Sequence, residues 1–165
     1  MIFLTVGTQF PFDRLVRAVD KAISQNGFDE RVFAQIGCSS YRPHNFDAIS
    51  SLEKNIFDKH ICDASCIISH AGIGTIMIAL ENNKPLLVMP RLKKYGEVVN
   101  DHQLAIARKF EQLGHILVVY DDEDLAEKIE QLKSFIPQPR KNQAKAVADR
   151  IAKFLKLLSE KQISD

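Results

Sequence analysis

The chain has 165 residues, 45% of them hydrophobic and 26% charged, enough for one domain of ordinary size with a core of its own. A net charge of +1 removes the electrostatic reason to expect nucleic acid as a partner. No apolar run is long enough to span a membrane, and Met1-Ile2-Phe3-Leu4 lacks the basic flank and length of a signal peptide, so a cytoplasmic protein is expected.

Taken in order, the chain alternates strands and helices. Ile2 to Val6 is a continuous apolar run and reads as a buried strand. Gly7-Thr8-Gln9 and the stiff Phe10-Pro11-Phe12 follow. Asp13 opens a helix with Leu15, Val16, Val19, Ala22 and Ile23 at helical spacing, stopped by Asn26-Gly27. Arg31 to Ile36 reads as a second strand and Phe46 to Ile49 as a short third. Ser50 and Glu53 have capping-box spacing for a helix to about Ile61. Cys66 to Ser69 is the fourth strand, and a helical pattern runs from Ile76 to Asn82. Pro85 to Met89, apolar throughout, is the fifth strand. A charged loop, Pro90 to Val99, leads to a helix from about Asn100 to Leu113, with Leu104, Ala107 and Phe110 inward and a stop at Gly114. Ile116 to Val119 is the sixth strand. Asp121 or Asp122 caps a helix through Leu125, Ile129 and Leu132, and a final helix runs from about Lys141 to Leu158, with a frayed tail from Glu160. The cysteines Cys38, Cys62 and Cys66 show no zinc spacing and read as reduced thiols, Cys66 in the core.

This alternation predicts an α/β fold: a single Rossmann-like, doubly wound parallel sheet of about six strands covered on both faces, one domain over residues 1–165. The commonest strand order, 3-2-1-4-5-6, makes strands 1 and 4 neighbours whose helices leave on opposite faces. The loops after these strands are Gly7-Thr8-Gln9 and Ala71-Gly72-Ile73-Gly74-Thr75. Gly72 and Gly74 allow close approach to an anion, Thr75 offers a hydroxyl, and His70 offers a ring N–H. The plain alternative is an ordinary strand-to-helix turn with Ser69 or Thr75 as cap. Both glycine-bearing loops fall at the switch point of the topology, which favours a phosphate-containing ligand. A single glycine after strand 1 argues against NAD or FAD, and there is no Walker motif. In Asn100-Asp101-His102-Gln103 a carboxylate and an amide stand together, a pair suited to sugar hydroxyls; a helix start capped by Asn100 or Asp101 is the alternative.

The combination of Ser69-His70-Ala71-Gly72-Ile73-Gly74-Thr75, Lys84-Pro85-Leu86-Leu87-Val88-Met89-Pro90 and Asp101-His102-Gln103, with Met1 to Thr8, resembles the donor-binding half of family 28 glycosyltransferases over essentially the whole chain. It is most similar to stand-alone subunits of split transferases. One kind is the catalytic subunit of the two-component UDP-N-acetylglucosamine transferase of dolichol-linked oligosaccharide synthesis. The other is its bacterial counterpart in exopolysaccharide and capsule assembly, which the segments Pro90 to Glu97 and Asn100 to Gln103 favour.

The resemblance implies half of a GT-B architecture, a UDP-sugar donor and inversion at the anomeric centre. It makes Gly7, Thr8, His70, Gly72, Gly74 and Thr75 candidates for the diphosphate, His70 as the catalytic group. Asp101 and Gln103 become candidates for the sugar hydroxyls. Family members commonly carry a ribose-binding glutamate where this chain has Ile78; Glu81, a turn further on, is the substitute to consider. His102 and Asp101 are the possible general bases here, although in the family the base usually comes from the other domain. A membrane-anchored partner subunit and a polyprenyl-diphosphate-linked acceptor are therefore implied, placing the protein at the cytoplasmic face of the membrane. The loop Arg91 to Glu97 and the final helix are candidates for partner contact. No metal or other cofactor is expected, because the phosphate loops offer no paired carboxylates. The rival readings are a non-catalytic accessory or scaffold subunit, favoured by Ile78, and an unrelated nucleotide-binding module.

Overall fold

A computed structural model describes residues 1–26, 28 and 30–139. The expected final helix and the stop at Gly27 lie outside the described residues. The strands are β1 (Ile2–Thr5), β2 (Val32–Gln35), β3 (Asp47–Ile49), β4 (Cys66–His70), β5 (Leu86–Met89) and β6 (Leu117–Val118). They form one sheet in the order β3-β2-β1-β4-β5-β6, with every pairing parallel, as the alternation predicts. β1 is central and buried along its whole length, pairing Leu4 with Ala34 on one side and Ile68 on the other.

Because successive strand residues face opposite sides, each strand feeds two cores. Leu4, Ile68, Leu87 and Met89 pack on one face under α1 (Asp13–Asn26) and α5 (Leu125–Ser134), against Leu15, Val19, Leu125 and Ile129. Phe3, Ile67, Leu86 and Val88 pack on the other under α2 (Lys54–Asp63), α3 (Ile73–Glu81) and α4 (His102–Gln112), against Ile61, Ile76, Ala79 and Ala107. Cys66 belongs to the first core, where burial pushes its thiol up to about 11, so it is a neutral core side chain. Among the described residues no helix is long and apolar enough to cross a membrane.

Local differences from the sequence reading have identifiable causes. The Ser50–Glu53 capping box does not form: α2 begins at Lys54, Glu53 is itself the cap position, and no side chain bonds there. Ser50 stays tied to the sheet because its carbonyl accepts from Gly37 N–H at 2.9 Å, one step beyond the β2–β3 pairing. The helix after β4 begins at Ile73 rather than Ile76, so Gly74 and Thr75 lie inside its first turn and not in a loop.

The loop between β2 and β3 is fastened to α1 by Asp20, whose role the sequence did not announce. Its buried carboxylate accepts from Tyr41 Oη (2.6 Å), Asn45 N (2.9 Å), Asn45 Nδ2 (3.0 Å) and His44 N (3.1 Å). Burial alone would raise this carboxyl, but the bonds outweigh it and hold it below the usual carboxylate range. Asp20→Ala would strand several donors at once, and a loss of about 2–3 kcal/mol in a denaturant titration is expected.

Candidate functional site

The carboxyl ends of β1 and β4 lie side by side, Thr5 paired with Ser69, where the strand order reverses. α1 and α3 leave this point on opposite faces, opening a crevice between the two loops. His70, the last residue of β4, stands at its floor, partly buried. Its Nδ1 lies 3.3 Å from Ser69 Oγ, and that hydroxyl donates to Thr5 O at 2.8 Å. With the Ser69 proton committed to a carbonyl, Oγ is left to accept from Nδ1–H, which assigns the tautomer: the neutral ring carries a lone pair on Nε2. Burial, with the Arg91 charge adding to it, lowers the ring's value to about 4, so His70 is neutral at pH 7. The expected donation of a ring N–H to an anion therefore requires a proton that the free protein does not hold on Nε2.

The two glycines flanking the ring have a reason beyond phosphate approach. A Cβ on Gly72 would overlap Nε2 of His70, and one on Gly7, where φ is +74°, would lie 3.0 Å from Cε1. Gly7 and Gly72 thus make the slot that holds the imidazole. Gly74 is different: a Cβ there meets nothing within 4 Å.

The start of α3 is bare. Its cap residue is Gly72, no side chain caps it, and the first intrahelical bond runs from Ile76 N to Gly72 O at 3.1 Å. Ser69 bonds Thr5 and Thr75 is the helix's third residue, so neither caps the turn. The N–H groups of Ile73, Gly74 and Thr75 precede the first intrahelical donor, Ile76, and carry the positive end of the helix dipole. Gly74→Ala should therefore separate folding from binding. It should gain about 0.5–1 kcal/mol in thermal stability from helix propensity, yet weaken diphosphate binding severalfold by crowding these amides.

The residues after β5 divide. Asp101 is exposed and stands at the cap position of α4, but its carboxylate does not cap the helix, one oxygen accepting instead from Lys93 N at 2.7 Å; Asn100 Oδ1, one residue earlier, accepts from His102 N at 3.2 Å. Gln103 is 5% exposed and its Oε1 accepts from Arg91 N at 3.1 Å. One lone pair of Gln103 Oε1 is thus committed to the protein's own backbone, which leaves its amide N–H groups for a sugar hydroxyl. Thr8 is exposed at the mouth of the crevice. Glu81, the last residue of α3, is carried roughly 10 Å along the helix axis from Gly74, a turn further from the crevice than Ile78. Ile78 packs against the second core.

Sequence reasoning missed two arginines. Arg91, 3% exposed, sends Nη2 to Val6 O (2.8 Å) and Phe10 O (2.6 Å), with its guanidinium 4.9 Å from the centre of the Phe12 ring. Arg14 grips both oxygens of Glu97 (2.8 and 3.0 Å) and Pro90 O (2.9 Å). Arg91 and Glu97 therefore turn inward, correcting their place on a partner-facing loop; Lys93, Lys94 and Tyr95 are its exposed part. The one available signal, for Arg91 alone, was a charged residue two positions after a buried strand. Among the described residues, no group of three or more His, Cys, Asp or Glu side chains could hold a metal ion.

Comparison with known proteins agrees with this geometry. The family model of the glycosyltransferase family 28 C-terminal domain matches residues 1–160. The chain belongs to this family. It is 34% identical over 125 residues to the UDP-N-acetylglucosamine transferase subunit ALG13 of Homo sapiens, a match covering 70% of this chain and 10% of that protein. The ALG13 subunit of Saccharomyces cerevisiae is 42% identical over 50 residues, 30% of this chain and 23% of that protein. The match thus spans less than a quarter of either curated relative. Among solved structures, Acinetobacter baumannii MurG superposes with a TM-score of 0.63 at 21% identity, covering 92% of this chain and 49% of that one. The solution structure of ALG13 gives 0.60 at 21% identity, covering 87% and 91%. The fold is that of one half of a GT-B glycosyltransferase.

In a family 28 domain the bare helix start, the slot holding His70 and the glycine loop after β1 converge on one small volume. What they offer a ligand is positive potential without a fixed cation, apart from the buried Arg91 behind it. A groove of about 590 Å³ beside α1, lined by Arg14, Arg17, Lys21, Tyr95 and Asp122, contains none of these residues and lies off the crevice.

Proposed function

We propose that this chain is the donor-binding subunit of an inverting UDP-sugar glycosyltransferase that acts with a membrane-anchored partner subunit. The observation that carries the reading is the uncapped amino terminus of α3 beside His70 and Gly7, at the switch point of a family 28 domain. A diphosphate seated there meets three free N–H groups, and the charge that grows on its β-phosphate as UDP departs is stabilised by groups already in place. The acceptor hydroxyl attacks the anomeric carbon from the opposite face, the bond to UDP breaks, and the hydroxyl proton passes to a base. That base belongs to the partner in this reading. His102 is exposed and bonded to Asn100, and Asp101 accepts from Lys93, both on the rim of the crevice.

N-acetylglucosamine is the donor sugar that the names of the human and yeast relatives favour. The acceptor is a polyprenyl-diphosphate-linked sugar, and the segments Pro90 to Glu97 and Asn100 to Gln103 favour exopolysaccharide or capsule assembly at the cytoplasmic face of the membrane. The donor site itself needs no divalent metal, because helix amides do the work of the cation. Ile78 supports a second reading, a non-catalytic accessory subunit, since it leaves the ribose without its usual acid. Calorimetry with UDP, UDP-N-acetylglucosamine, UDP-glucose and NAD, with and without chelator, tests the proposal. UDP and one UDP-sugar should bind, NAD should not, and chelation should leave the affinity unchanged. Absence of UDP binding both alone and with the partner would leave only the accessory reading.

A further inference from the structure

Arg91 is the most costly side chain in the protein's interior that the donor chemistry leaves unexplained. It is 3% exposed, its Nε has no hydrogen-bond partner among the described residues, and burial depresses its value to about 10, with Glu97 offsetting part of the effect. An apolar side chain of similar length would fill the same space without the desolvation cost. What an apolar side chain could not do is what Nη2 does here. Val6 O and Phe10 O stand at the two ends of Gly7-Thr8-Gln9, and one nitrogen holds both. The Arg91 backbone is in turn held by Gln103 on α4, through Oε1 at 3.1 Å, and the guanidinium lies over Phe12 at the far end of the same loop. The loop after β1 therefore has its shape imposed from β5 and α4, across the crevice.

We propose that Arg91 is the positioning residue of the diphosphate site: by gripping Val6 and Phe10 it fixes the Gly7-Thr8-Gln9 loop in the shape that receives the ligand, with Gln103 as its anchor. The proposal rests on the donor-site reading for its functional consequence, but the loop geometry it asserts needs no ligand. Lysine keeps the charge but loses the planar head over Phe12 and must reach both carbonyls from a shorter side chain, whereas methionine loses charge and donors together.

The experiment compares wild type, Arg91→Lys and Arg91→Met by amide NMR of the free proteins, thermal melting, and titration with UDP-N-acetylglucosamine and UDP. Both variants should shift and broaden the Gly7, Thr8 and Gln9 amides while those of β4 and β5 stay in place. Nucleotide affinity per folded molecule should fall about tenfold in Arg91→Lys and further in Arg91→Met. Gln103→Leu should reproduce the loop shifts at smaller amplitude. If Arg91→Lys shifts the loop amides yet binds like wild type, while Arg91→Met does not bind, only the charge matters and positioning is wrong. Unmoved loop amides with affinity within about twofold of wild type in a folded variant overturn the proposal as well. Should Arg91→Met not fold, Arg91→Lys decides alone by the same two readouts. If wild type binds no uridine nucleotide the donor reading fails, and the loop amides still judge Arg91.

Discussion

Replacing His70 with alanine is expected to weaken UDP-sugar binding by roughly 10- to 150-fold, about 1.5–3 kcal/mol, without unfolding the domain. The loss should depend on pH, and the hydrogen bonds around the ring give its sign. In the free protein Nδ1–H faces Ser69 Oγ and Nε2 has only a lone pair, with burial and Arg91 keeping the ring neutral down to about pH 4. A diphosphate arriving at Nε2 favours the imidazolium, so the value of the bound ring rises above that of the free ring. Binding then takes up a proton, and affinity should increase as pH falls from about 8 toward 5. UDP-N-acetylglucosamine is the right probe, because UDP has a terminal phosphate that ionises near pH 6 and would confuse the count. Calorimetry in buffers of different ionisation enthalpy should report the uptake in wild type and none in His70→Ala, whose affinity should be flat over the same range. Flat affinity in wild type would mean that the ring meets the ligand neutral and that the tautomer is reversed.

The same ring bears on stability, with the opposite pH sense from a salt-bridged histidine. Its folded value lies below the ordinary 6.5, so between about 6.5 and 4 the unfolded chain binds a proton that the folded chain refuses. The contribution is intact above pH 6.5 and is lost as pH falls toward 4. His70→Ala should therefore be less acid-sensitive in this window than wild type, as well as weaker in binding.

The strand order and the location of the crevice were legible because both follow from alternation. Buried runs such as Ile2 to Thr5 and Leu86 to Met89, each followed by an amphipathic helix, leave few ways to build a parallel sheet, and the commonest puts Gly7 beside Gly72. What local spacing could not show was which neighbours a side chain meets across the sheet. Arg91 bonds residues 85 and 81 positions earlier, and Arg14 reaches Glu97 over 83 positions, so Arg91 read as part of a charged loop and Arg14, in the helix opened by Asp13, drew no notice. Gln103 is half hidden for the same reason: its spacing beside Asp101 suits a sugar, and nothing local shows that its carbonyl oxygen also holds the Arg91 backbone. Glu53 illustrates the local limit, where Ser50 was drawn into the β2–β3 ladder and the capping pair dissolved. Gly72 is the subtler case. Its presence was read as room for an anion, whereas the nearest object in that room is the His70 ring, which the anion must meet first.

The chain alone is expected to turn over at a rate lower by at least two to four orders of magnitude than with its membrane partner. The crevice has a single wall: the groups that converge on the diphosphate come from β1, β4 and α3, and the polar residues on its rim are engaged with the protein's own loop, Asp101 with Lys93 and Asn100 with His102. A positioned base is worth about 10²–10⁴ in rate, and holding the acceptor in line contributes further. In the proposed reading the partner supplies both. Exposed Phe10, Ile73, Tyr95 and Val99, 47%, 50%, 52% and 81% accessible, stand on the loops after β1 and β5 and at the start of α3, the edge that a second wall would cover. The assay is transfer from labelled UDP-N-acetylglucosamine to a short polyprenyl-diphosphate sugar, with the chain alone, the partner alone and both together. Donor binding by the chain alone with turnover only in the mixture is the expected pattern. Rapid transfer by the isolated chain would place the base within it, and Asp101→Asn and His102→Gln would then be the substitutions that find it.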